Sequence, residues 1–487
     1  MTDQRAADSL DPTTDRPVGP PERLTANLGL FTAITIVVGG VIGSGVFLKP
    51  SQVAQATEGY VGLILALWIV CGLVSLCGAL AMAELSAMFP RAGGSYVFLN
   101  EAYGPLWGFL WAWAEFSVMR SGAIASLAAA MAIGVNRIAE TAGYQLSTAG
   151  DLAIAIGSVV GLAAVNIVGT RWGGVVQNVT TVIKALFVAF LAVLPFVAIG
   201  SQAVDLSPLW PDAVRVGLLM GIGKALSAIL WSYDGWAQLP VIAEEVRNPQ
   251  RNVPRALLIG LTMLIVLYTS ANLAYHLALP SAVIADASNK SPTAVMAAEK
   301  LMPNLGGKLT LSMMIVSVFG ALNASILTGP RVLFAAARDH RALGPLRRVD
   351  PRFGTPAAAI AALSGWAVLL IIAALWYPNK DKRLYDVLTD YCIFGASIFY
   401  LASVVAVFVL RVRRPDAPRP YRALGYPVLP AVFVVAYIAI LIAMLVASLF
   451  ESLAGLSLIG LGALVYATVV WFGRRPDSAG SRNEPAP

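Results

Sequence analysis

Along the chain, long apolar runs alternate with short polar loops that carry most of the arginines. A run of roughly 20 apolar residues crosses a bilayer as a helix. The pattern predicts twelve such spans, at 28–50, 61–89, 105–135, 151–169, 176–200, 216–243, 254–280, 307–337, 356–377, 385–411, 427–449 and 454–473. The fold class expected is therefore an all-α polytopic membrane protein with twelve transmembrane helices. The flanks, 1–27 and 474–487, are polar and read as disordered tails. The first lacks the short apolar core of a signal peptide. An even number of spans places both tails on one side.

Composition agrees with this pattern. The 487 residues are 58% hydrophobic and 13% charged, with a mean hydropathy of +0.74, which exceeds what a soluble globular chain needs. The net charge of +7 does not point to nucleic acid, because the basic residues sit in the loops. Loops on the side of the tails hold twenty-one Lys and Arg; the opposite loops hold eight, Arg137, Arg215, Lys290, Lys300, Lys308, Lys380, Lys382 and Arg383. By the positive-inside rule both termini lie in the cytoplasm of a cell membrane. The three cysteines fall in apolar runs without disulfide or metal spacing, and the two histidines form no HExxH. No metal, cofactor or enzyme chemistry is expected.

The first span carries a run ill suited to a helix, VIGSGVF at 41–47, with Gly39 and Gly40 just before it. Glycine disfavours helix. Such a run permits either close helix packing or a break. A second interruption decides between them. The sixth span reads LWSYDGWAQLPVIAEEV over 230–246, with Asp234, Gly235 and Pro240 inside it. Inverted-repeat transporters carry interrupted helices at matching positions, and spans 1 and 6 match in a five-helix repeat. Unwinding at Gly43–Ser44–Gly45 frees amides that favour a carboxylate. Unwinding at Ser232–Gly235 frees carbonyls that favour an ammonium. Together they fit a zwitterion, and an α-amino acid is the obvious one.

The residues GGVIGSGVF and LWSYDGWAQLPVIAEEVRNPQRNVPRA resemble the amino acid–polyamine–organocation superfamily, and within it the L-type amino acid transporter branch. AELSAMFPRAGGSYVFLNEAYGPLWGFL, WAEFSVMRSGAIASLA, NIVGTRWGGVVQNVTTVIKAL, NASILTGPRVLFAAARD and RRPDAPRPYRALGYPVLP extend the resemblance from Leu28 to Phe472. It implies the leucine-transporter fold: a first repeat over 28–200, an inverted second over 216–411, and two extra helices over 427–473. It implies that Ile42, Gly43, Ser44 and Gly45 hold the substrate carboxylate. Trp231, Ser232, Tyr233, Asp234 and Gly235 then lie near the amino group and side chain, with Trp231 as a gate. No cysteine lies between Arg137 and Gly150, so no disulfide-linked heavy chain is expected as partner.

Ionisable residues inside a membrane are costly and usually functional. By the resemblance, Lys184 replaces a sodium ion, bridging span 1 carbonyls to span 8 hydroxyls, Ser325 or Thr328; the plain alternative is a lysine snorkelling to the interface. Asp234 either attracts a cationic side chain or caps the second half of span 6. Glu115 and Arg120, five residues apart, do not share a helix face and are not expected to pair. Glu244 and Glu245 either form a cytoplasmic gate with Arg91 or Arg331 or sit at a solvated helix end. Trp107, Trp111 and Trp113 fit an interfacial aromatic belt. The function expected is sodium-independent transport of neutral amino acids by alternating access, as exchange or facilitated transport, with or without proton linkage. A carrier of cationic amino acids or polyamines, or a non-transporting amino acid sensor, are the alternatives.

Overall fold

In lipid every backbone amide and carbonyl must find a partner inside the protein, so the apolar runs become helices. The computed structural model describes residues 24, 26–141, 143–198, 206–213, 215–286, 288, 291–373, 384–447 and 449–473. Both terminal tails, except Leu24, Ala26 and Asn27, lie outside the described residues, as do Lys290, Lys380, Lys382 and Arg383 of the loop count.

The spans are α1 (Leu30–Val41 and Gly45–Leu48), α2 (Val61–Met88), α3 (Pro105–Ala114, continued through Glu115–Met119 into Arg120–Thr141) and α4 (Thr148–Val168). Then come α5 (Thr170–Ala198), α6 (Val216–Tyr233 and Gln238–Val241), α7 (Pro249–Ala278) and α8 (Gly306–Thr328, resumed at Pro330–Asp339). The last four are α9 (Ala357–Ala373), α10 (Leu384–Arg413), α11 (Val428–Ala447) and α12 (Leu449–Gly473). Among the described residues ten helices are long and apolar enough to cross a membrane, and two shorter apolar helices, Ala357–Ala373 and Gly455–Val470, accompany them. The protein is a multi-pass, all-helical membrane protein of the twelve-helix kind, with no strand among the described residues.

Hydropathy missed the short helices between spans. Ser95–Tyr103 lies between α2 and α3, and Ser281–Ala285 and Thr293–Leu301 lie between α7 and α8. They are too short to span, so a hydropathy window passes over them.

Among the described residues α1 and α6 are unwound over several residues, whereas α8 only steps at Gly329. α1 packs among α5, α7 and α8, and the first half of α6 packs among α2, α10 and α11. α2, α4 and α7 run without such a break. The broken helices therefore occupy the centre, where neighbouring side chains can supply what the unwound backbone lacks.

Candidate functional site

The break in α1 is held open by named partners. Ile42 leaves the helix (φ −70, ψ 87). The Val41 carbonyl accepts from Tyr268 Oη at 2.9 Å. The Ile42 carbonyl accepts from Lys184 Nζ at 2.5 Å and Ser317 Oγ at 3.1 Å. Ser317 Oγ also reaches the Gly43 carbonyl at 3.0 Å. Each buried carbonyl of the break thus has a donor, as irregular backbone at membrane depth requires. The helix resumes with the amides of Phe47, Leu48 and Lys49, which bond to the carbonyls of Ser44 and Gly45. Of the amides before them, that of Gly43 bonds the Val41 carbonyl at 2.8 Å, and the restarted helix presents its N-terminal, positive end here.

The glycines bring the two breaks together. Gly235 has φ +122, and a Cβ there would lie 2.7 Å from the Gly40 carbonyl carbon. A Cβ on Gly45 would lie 2.7 Å from Ser232 Cα. The two unwound segments therefore meet backbone to backbone, and the glycines serve both the break and the close approach.

Between them lies a cavity walled by Gly40, Val41, Gly43, Ser44 and Gly45 of α1 and Trp231, Asp234 and Gln238 of α6. α3 supplies Arg120, Ala123 and Leu127, and α8 supplies Ala321 and Ser325.

Not every expected side chain faces the cavity. Tyr233 points the other way, with its ring 5.8 Å from that of Trp68 and 5.2 Å from that of Tyr268. Ser232 Oγ donates to the Ala228 carbonyl at 2.9 Å. Ile42 and Gly235 contribute main chain, not wall. Asp234 accepts from Tyr400 Oη at 2.7 Å, and the resumed helix has Ala237 as its N-cap without a side-chain cap bond. Asp234 is therefore a wall residue rather than a cap.

Lys184 is buried among α1, α5 and α8 rather than snorkelling. Besides Ile42 it donates to the Gly39 carbonyl at 2.5 Å and the Ser317 carbonyl at 3.3 Å. The span 8 partner is thus Ser317, not Ser325 or Thr328. Ser325 is two turns further along the same face, about 12 Å away at 1.5 Å per residue, and lines the cavity. Thr328 Oγ1 instead contacts Gln238 Oε1 at 3.3 Å and so orients a wall residue. The resemblance pointed to the right helix, α8, and to the wrong residue on it.

Glu115 and Arg120 do pair, against expectation. Arg120 Nε donates to Glu115 Oε2 at 2.9 Å and Nη2 to Oε1 at 3.3 Å. In an α-helix, positions five apart point roughly 140° away from each other. Here Glu115–Met119 is a π-turn in which the Arg120 amide bonds the Glu115 carbonyl. That i→i+5 geometry brings the two side chains into line.

At the arginine-rich end, Glu244 and Glu245 are locked rather than solvated. Arg331 Nε donates to Glu245 Oε1 at 2.9 Å, with both side chains buried. Arg338 forks onto Glu244 at 3.0 and 3.1 Å, and the amides of Leu24 and Ala92 add bonds of 2.9 and 3.0 Å. Burial works against the Glu244 charge, yet Arg338 and these amides outweigh it and hold its carboxyl below the usual range. Arg91 is not a partner; it reaches Glu101 at 2.6 Å instead. The Leu28 amide bonds the Glu245 carbonyl at 2.9 Å, and the Arg247 amide bonds the Leu28 carbonyl at 2.8 Å. Trp111 leaves the expected belt, packing in the interior against Phe399 and Tyr400.

Sequence reasoning did not single out Gln238, Ser317, Tyr268 or Tyr400, nor place Arg120 in the site. Gln238 was the most findable, a polar residue one turn past Asp234 in an interrupted span.

The amino acid permease family matches residues 28–472, nearly the whole chain and both breaks. The chain belongs to that family. Among relatives, the permease is 33% identical to the serine/threonine exchanger SteT of Bacillus subtilis over 84% of this chain and 88% of that one. It is 31% identical to the mouse b(0,+)-type amino acid transporter 1, over 82% and 79%. The mouse large neutral amino acids transporter small subunit 2 is 30% identical, over 84% and 75%. The L-type resemblance read from the motifs therefore stands. Among its described residues, the permease places no three His, Cys, Asp or Glu side chains to hold a metal ion.

Proposed function

We propose that this permease moves a neutral L-amino acid across the cell membrane by alternating access, without sodium, chiefly by exchange. The observation that carries the reading is the meeting of the two helix breaks around one cavity. The substrate carboxylate binds at the start of the second half of α1, at Gly45, where the helix restarts with its positive end. The ammonium takes carbonyls at the end of the first half of α6. Trp231, in the wall, closes over the substrate, while Ser44 acts through its main chain.

Lys184 supports sodium independence. Its ammonium already binds the carbonyls that a monovalent cation would need. The exchange reading draws on the serine/threonine exchanger among the relatives. The five-plus-five repeat, 28–200 against 216–411, rests on the matching breaks in α1 and α6. The excess of basic residues on the tail side supports a cytoplasmic position for both termini. In that orientation Glu245–Arg331 and Glu244–Arg338 form the inner gate. The missing cysteine between Arg137 and Gly150 supports a permease that works without a linked heavy chain.

A cationic amino acid or amine is the second reading, and Asp234 in the wall is the observation that favours it. Purified permease in sodium-free liposomes preloaded with an amino acid mixture decides between them. Labelled alanine uptake that requires internal amino acid establishes neutral exchange. Labelled arginine uptake without alanine uptake replaces it with the second reading. Uptake of neither points to a sensor.

A further inference from the structure

Four ionisable side chains gather around the two breaks. Glu115 and Arg120 form the buried pair on α3, with 3% and 6% of their side chains exposed. Asp234 lies in the same cavity wall as Arg120. Lys184 stands behind the α1 break. Their formal charges, two negative and two positive, cancel.

A site in low dielectric tolerates little uncompensated charge. A zwitterion with an uncharged side chain enters without disturbing the balance. A cationic side chain adds a positive charge, and the acid that would receive it already faces a guanidinium. Resting on the transport reading above, we infer that Arg120 sets the charge selectivity of the permease: by facing Asp234 it excludes cationic side chains. The π-turn is what makes this possible. It turns Arg120 toward both Glu115 and the cavity, where a regular helix would separate the pair. Glu115 holds the guanidinium by its fork, and Tyr400 fixes the Asp234 carboxylate opposite.

The test compares labelled alanine and labelled arginine uptake by wild type, R120Q and R120Q/D234N in amino acid-loaded, sodium-free liposomes. Wild type is expected to take alanine over arginine. In R120Q the arginine-to-alanine ratio should rise about tenfold or more, a factor equivalent to one uncompensated interaction. In R120Q/D234N that gain should vanish, because the acid it depends on is gone. Melting temperature and chromatographic homogeneity report folding. R120Q orphans Glu115, so E115Q/R120Q serves as the second variant; its two amides replace the ion pair without an unpaired carboxylate, and the same gain is expected.

A folded R120Q or E115Q/R120Q that still takes alanine and gains no arginine uptake overturns the inference alone. So does a wild type that prefers arginine. A wild type that carries neither substrate overturns the transport reading, and the inference with it.

Discussion

Lys184 Nζ lies 2.5 Å from the carbonyl oxygen of Ile42, the residue at which α1 leaves its helix. One side chain on α5 thus holds the unwound backbone of α1. Removing it should do two things. K184A removes the Lys184 donor from the Gly39 carbonyl, at a cost of about 1–3 kcal/mol for a buried group left unsatisfied, and leaves the Ile42 carbonyl with Ser317 Oγ alone. Uptake should fall to background and melting temperature should drop. In wild type, replacing sodium by choline should leave uptake unchanged. Flux measurements with and without sodium check both.

The glycines of the break differ in what surrounds them. At Gly45 a methyl would meet Ser232 Oγ at 2.5 Å, whereas at Gly43 it would meet Ala321 Cβ at 3.2 Å and project toward the cavity. G45A should abolish uptake and lower stability, because the two breaks must separate. G43A should reduce uptake mainly through affinity, and S44A should be mild. Uptake kinetics and thermal unfolding of the three variants side by side distinguish these patterns.

The Glu245–Arg331 pair is buried at the arginine-rich end. Removing one partner of such a pair costs about 3–5 kcal/mol, since it strands the other charge. R331A should therefore open that end. A cysteine placed at Ser325, in the cavity wall, should react faster with a membrane-impermeant thiol reagent applied from that side than it does in the parent. The charge-swapped E245R/R331E should recover part of the protection.

Glu244 provides a pH dependence whose sign follows from its pairing. Its carboxyl is held below its ordinary value of 4.5 by Arg338 and two main-chain amides acting against burial. The contribution of this lock is complete above the unfolded value and is lost as pH falls through the lower, folded value. Stability should therefore decline as pH drops below 4.5, and E244Q should flatten that decline. Melting curves across acidic pH measure it.

How much of this was legible in the sequence depends on which physics each feature obeys. The spans were readable because lipid forces every backbone group into a helix, and the breaks because glycine, proline and aspartate are out of place there. Lys184 was readable for the same reason. A family resemblance names the helix that faces Lys184 but not the turn that stands level with it, so Ser325 or Thr328 was taken where Ser317 stands. A π-turn shifts the periodicity itself, so Glu115 and Arg120 seemed to point apart when they in fact pair. The orientation of Tyr233 toward Trp68 follows from packing between distant spans, which local pattern does not record.

The central claim is that the two breaks together bind a zwitterion, one end at α1 and the other at α6. It is tested most directly by competition for labelled alanine uptake in sodium-free liposomes. The competitors are serine, ethylamine, which lacks the carboxylate, and propionate, which lacks the ammonium. The account predicts that serine competes and that neither single-ended analogue does at the same concentration. Competition by ethylamine equal to that of serine would contradict it, because the amides of the α1 break would then have no part in recognition.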